Sequence, residues 1–149
     1  MAQTVEDIAA AIVAELIDVA NVAAFPEDLT AAGRVRWEYA NSKDYLDYTT
    51  DPEVVIFPKS ETNEIEDREN DRFRLAVGIA IIRKVDAYDT ATINPLLDLP
   101  RAIRDFLRDR DQASCNWENT TLEVLYGYDE LKQDACLVST IHSEYWIDQ

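Results

Sequence analysis

Three residues near the C-terminus are the one combination in this chain with the parts for covalent chemistry. Cys136, His142 and Glu144 supply a thiol, an imidazole and a carboxylate, the elements of a nucleophile, its base and an orienting acid. His142 is the single histidine, and even spacing places all three on one face of an extended strand. That same spacing argues against catalysis. Same-face side chains of one strand stand parallel and do not converge on a substrate, so a small cytoplasmic hydrolase is the weakest reading of the chain. Carboxylates are plentiful in PKSETNEIEDREND, but no loop there alternates ligands around a fixed glycine as calcium sites do. No P-loop, dinucleotide-binding glycine pattern, GxSxG elbow or HExxH helix occurs, and three glycines leave little from which to build a phosphate cradle. No catalytic residue, metal or cofactor is expected.

Charge narrows the function classes further. The 149 residues carry 30 acids against 14 bases, a formal net charge of −16. Such a surface repels nucleic acid phosphates and anionic membranes. It suits either a plainly solvated protein or one past which DNA must slide without sticking. Glu6, Asp7, Glu15 and Asp18 interrupt any membrane span near the N-terminus, which also lacks a basic leader, so a soluble, unexported protein is expected. Cys115 and Cys136 lack CxxC spacing. Two reduced thiols are the favoured reading, with a disulfide between them as the alternative.

The elements follow from periodicity. Thr4 can cap a helix with Asp7 completing a loose capping box, and Val5, Ile8, Ile12, Leu16 and Val19 form its apolar stripe. RVRWEYA alternates as a half-exposed strand, and EVVIF reads as a short strand stopped by Pro58. The polar stretch 59–71 reads as a mobile acidic loop. DRFRLAVGIAIIRKV follows as the central strand, with Phe73, Leu75, Val77, Ile79 and Ile81 on its bulky face and Ala76, Gly78 and Ala80 on a shaved one. A second helix spans ATINPLLDLPRAIRDFLRDR. Pro95 is expected in its first turn, a kink or restart between Leu96 and Leu99, and Leu97 against Val77 and Ile79. TLEVLYGY and DACLVSTIHSEYWI close the chain as two strands separated by DELKQ. The result is a single α/β (α+β) domain, 1–149, ordered α-β-β-β-α-β-β, with two principal helices packed on a mixed, mainly antiparallel sheet of about five strands.

The run FPKSETNEIEDRENDRFRLAVGIAIIRKV followed by ATINPLLDLPRAIRDFL resembles the tail terminator and related minor tail or neck proteins of long-tailed bacteriophages. In those proteins a strand ending in a proline turn, a polar loop, a long apolar strand and a helix of I-x-x-L-L-D-L character come in this order. The likeness spans nearly the whole chain, although the prolines of the second helix depart from it. It implies a non-enzymatic virion subunit that associates weakly at first and then forms a ring, typically a hexamer, on the end of the tail tube. The ring stops tube growth and presents a surface to the head connector, while DNA passes through unbound. A head-side connector or head-completion protein is the alternative. The residues expected at the subunit interface are Glu61, Glu64, Ile65, Glu66, Asp67, Arg68 and Glu69 in the acidic segment, with Ala76, Gly78 and Ala80 on the shaved strand face.

Overall fold

A computed structural model describes residues 3–65 and 71–148, the side chains of Glu64 and Ile65 excepted. Its elements are α1 (Val5–Leu16), β1 (Val35–Trp37), β2 (Glu53–Ile65), β3 (Asp71–Lys84), α2 (Thr90–Leu96), α3 (Asp98–Leu107), β4 (Asn116–Val124), α4 (Tyr128–Asp134) and β5 (Cys136–Asp148), with short 3₁₀ turns at Val19–Ala24 and Tyr45–Asp47. The strands form one five-stranded sheet in the order β1-β2-β3-β5-β4. Only the β1–β2 pair is parallel; the other three pairs are antiparallel. This is the α+β architecture expected, with the second helix restarting at Leu97, inside the stretch where the sequence placed a kink or restart. No helix among the described residues is long and apolar enough to cross a membrane.

The principal core lies on one face of the sheet. Leu75, Val77, Ile79 and Ile81 of β3 pack there against Ile8, Ile12 and Leu16 of α1 and Leu99, Ile103 and Leu107 of α3. α1 covers the β1–β2 side of that face and α3 the β4–β5 side. The capping box forms as expected: Thr4 Oγ1 accepts from the Asp7 N–H at 3.3 Å, and Asp7 Oδ2 accepts from the Thr4 N–H at 2.9 Å. Val19 lies beyond the end of the helix and is exposed.

Proline accounts for two departures from the sequence reading. β2 does not stop at Pro58; it continues to Ile65, and its ladder with β3 skips a residue between Pro58 and Ser60. A bulge at that point lets the strand carry a residue that cannot donate to the ladder. In the second helical region, Pro95 is the sixth residue of α2, outside the first turn, and Leu97 ends α2 and begins α3. The chain restarts there, and Pro100 falls in the first turn of α3, where a missing N–H costs little. The restart redirects Leu97. It packs with Val85, Ile93 and Leu137 at the end of the sheet, and Leu99, Ile103 and Leu107 occupy the place over Val77 and Ile79 that Leu97 was expected to fill.

The C-terminal part holds more structure than its pattern suggested. β4 begins at Asn116, ahead of the TLEVLYGY run, and DELKQ lies within α4. Val124 and Tyr126 are exposed. A hydrogen-bonded chain ties β4 to β5. Trp117 Nε1 donates to Thr120 Oγ1 at 2.8 Å, the Thr120 and Ser143 hydroxyls lie 2.8 Å apart, and Ser143 Oγ donates to the Tyr145 oxygen at 3.0 Å.

Two further polar anchors fix the connectors. Arg83 is almost fully buried and is held by Glu27, whose Oε1 accepts from Nη1 at 2.8 Å. Glu53, also buried, accepts from Arg36 at 2.8 Å and Lys43 at 2.7 Å. Each places a charge inside with its partner, which burial requires.

Ile103 has no exposed surface, so Ile103→Ala is expected to cost about 2–5 kcal/mol in urea unfolding without changing the denaturant slope. Burial raises the Tyr145 hydroxyl to about 12. The unfolded phenol ionises near pH 10 and the folded one about two units later, so Tyr145 contributes stability that is complete below pH 10 and is lost as pH rises through 12. Unfolding free energies measured between pH 9 and 12 should fall, and Tyr145→Phe should flatten that fall.

Candidate assembly surface

The second face of the sheet carries most of the chemistry-bearing residues and is covered differently along its length. At the β3 C-terminal end, Ala80 and Ile82 pack with Val55, Tyr48 and Cys136, with Tyr45, Phe57 and Val138 at the margin. Toward the opposite end the face is polar. Gly78 is opposite Phe57 on one side and His142 on the other, and the Lys59 side chain lies across it; a Cβ at Gly78 would meet Lys59 Cδ at 3.2 Å. Beyond it, the Arg72 guanidinium stacks 4.0 Å from the centre of the Trp146 ring, and Arg74 reaches Glu118 at 3.2 Å.

Lys59 is the hub of this polar row. Its ammonium lies 2.9 Å from His142 Nδ1 and 3.7 Å from Glu123, and His142 Nε2 lies 2.8 Å from Glu144 Oε1. An ammonium can only donate, so Nδ1 accepts and Nε2–H donates to the carboxylate; the contacts assign this neutral tautomer. The bulge explains why Lys59 is available, because it is the residue skipped in the β2–β3 register.

Cys136 does not join that row. It is six residues from His142 along β5, roughly 20 Å in an extended strand. Its thiol is buried and donates to the Tyr45 carbonyl at 3.3 Å. Burial pushes its pKa up, away from the reactive thiolate. Cys136, His142 and Glu144 therefore form no nucleophile–base pair. Cys115, also raised by burial, belongs to the core on the helix face, whereas Cys136 belongs to the cluster on the other. Both are free thiols, and the sheet between them rules out the disulfide alternative. Among the described residues, no three His, Cys, Asp or Glu are grouped to hold a metal.

The expected interface residues fall into four groups. Glu61, though exposed, is tied to the chain's own helix: its Oε1 accepts from the Val5 N–H at 2.9 Å, placing a carboxylate at the positive end of α1. Glu64 and Ile65 are the last residues of β2, paired in backbone register with Arg72 and Asp71. Glu66, Asp67, Arg68 and Glu69 lie outside the described residues, in the segment joining β2 to β3. Ala76, Gly78 and Ala80 are buried by the chain's own side chains. Sequence reasoning missed Lys59, whose signal was its place just after a strand proline.

The extended β2–β3 hairpin, with its acidic connecting segment, thus lies at one end of the sheet. No family model matches the chain, and no curated protein matches it. A solved chain from the structure titled "Virion of native gene transfer agent (GTA) particle" shares its fold, with a TM-score of 0.59 and 15% identity over 100% of both chains.

The Lys59 contact tests whether the shaved strand face has a role of its own. Gly78→Ala meets only the flexible outer part of a half-exposed lysine, so it should change stability by less than about 1 kcal/mol in chemical denaturation. The same variant that melts normally yet fails to associate would place that face in subunit contact.

Proposed function

We propose that this protein is a structural, non-enzymatic subunit of a tailed-phage virion, a tail terminator that acts by forming a ring, hexameric by resemblance, on the end of the tail tube. The observation that carries the reading is the fold shared over the full length of both chains with a subunit of a gene transfer agent virion. The strand, acidic segment, strand and helix order that resembles tail terminators supports the finer assignment. In this reading the ring stops tube growth, meets the tube protein on one side and the head connector on the other, and resides in the tail or neck.

The acidic surface supports the same reading. Each cation that neutralises a phosphate adds affinity for DNA and slows its passage. With 30 acids against 14 bases, the chain supplies few such contacts. The β2–β3 hairpin is the proposed assembly arm, with Glu64, Ile65, Glu66, Asp67, Arg68 and Glu69 as the residues that meet a neighbour.

Deleting residues 64–69 spares Glu61 and its contact with α1. The expected outcome is a melting temperature within about 3 °C of wild type, loss of rings in negative-stain images of concentrated protein, and over-long tails in the assembling phage. Tails of normal length that fail to join heads would instead assign the protein to the head-side connector. Normal rings and normal particles would remove the arm from assembly.

A further inference from the structure

At the end of the sheet opposite the acidic hairpin, α2, α4 and the segment after β4 enclose an open cavity of about 480 Å³. This lies within the size range of specific binding sites. Its apolar wall is formed by Ile93, Leu97, Leu125 and Leu131. Tyr88, Tyr126 and Tyr128 also line it while remaining 61%, 43% and 62% exposed. Aromatic side chains with an apolar body and a polar tip are enriched where proteins meet.

The charges of this cavity run against those of the molecule. Its two charged lining residues, Arg101 and Lys132, are both basic, in a chain of net charge −16. Neither is committed to a buried pair. Arg101 shares an exposed contact of 3.6 Å with Asp98, and the Lys132 ammonium lies 5.6 Å from the centre of the Tyr128 ring. The segment 64–71 has the opposite composition, with Glu64, Glu66, Asp67, Glu69 and Asp71 against Arg68, and one large apolar residue, Ile65.

We propose that this cavity receives the acidic β2–β3 hairpin end of a second copy of the chain, with Ile65 entering the apolar wall and the carboxylates meeting Arg101 and Lys132. The proposal rests on the ring-assembly reading and names its contact. Geometry supplies the reason that the partner is a second copy. β3 begins at Asp71, beside the acidic segment, and ends at Lys84, one residue before Val85 of the cavity-end cluster. The 14 residues of β3 hold the two sites roughly 45 Å apart at about 3.4 Å per residue. A chain cannot fill its own cavity across that span. A contact between unlike ends of identical subunits is heterologous, and a rotation that closes produces a ring. The two lining cations and the acidic segment are of opposite charge, which favours this arrangement.

A charge exchange tests it in the full-length protein. The pocket variant is Arg101→Glu with Lys132→Glu, and the hairpin variant is Glu66→Lys with Glu69→Lys. Sedimentation velocity over a concentration series is expected to show at least tenfold weaker self-association for each variant, with thermal melting confirming that both fold. The chain carrying all four substitutions should recover association to within about threefold of wild type. If association is weak, oxidative cross-linking provides a second readout. Glu66→Cys mixed with Lys132→Cys should give heterodimers in excess of either homodimer. Wild-type association that survives both charge variants, or that the combined chain fails to recover, overturns the docking proposal and leaves ring assembly standing; a small-molecule occupant or a different partner at the cavity would give this result. Wild-type protein that does not self-associate, together with cysteine variants that give no excess of heterodimer, overturns the docking proposal, and absence of rings on isolated tail tubes overturns ring assembly itself.

Discussion

The structure depends on β3 being paired along both edges. Its residues from Arg72 to Lys84 are in register with β5, and nearly the same stretch pairs with β2. A strand in that position has no free edge, so its backbone polar groups are satisfied within the sheet. Both faces can then be buried, and they are buried by different partners. Leu75, Val77, Ile79 and Ile81 support two helices. Ala76, Gly78 and Ala80 allow the chain's own side chains to lie close on the reverse face. The two principal helices do not contribute to the sheet's hydrogen bonding; they supply the apolar mass that makes its formation favourable.

How much of this the sequence revealed depended on whether the signal was local. Alternation in DRFRLAVGIAIIRKV located β3 and its two faces, and the Thr4 and Asp7 spacing located the start of α1, because both patterns are set by neighbouring residues. Pro58 misled because a proline stops a central strand unless a bulge accommodates it, and the bulge depends on the partner strand. Leu97 misled because it fits a continuous helical stripe; the prolines signalled the restart, but not that it would turn Leu97 toward Val85, Ile93 and Leu137. The pair of buried Arg83 with half-buried Glu27 joins residues 56 apart in sequence, and no periodicity reports such a contact.

The candidate site was legible in composition and less so in placement. The acidic character of the hairpin end was visible in the sequence. The part Glu61 plays at α1 was not, since it requires β2 to extend past Pro58. The tyrosine-lined cavity with its two basic residues was hidden because its lining comes from α2, α3, the segment after β4 and α4, brought together at one end of the sheet. Cys136, His142 and Glu144 illustrate the reverse case. A shared strand face suggested a common site, and strand length keeps the thiol apart from the other two.

The skipped residue at Lys59 divides the β2–β3 ladder into two parts. Between Glu53 and Pro58 the strand is mostly buried; from Ser60 onward its described side chains are exposed. Exposed ladders with few apolar contacts open more readily than buried ones, and cooperative units tend to break at such discontinuities. The ladder pairs beyond Ser60 can therefore open as a separate unit while the inner ladder stays closed. The bulge thereby confines such opening to the outer part of the ladder and shields the core from it.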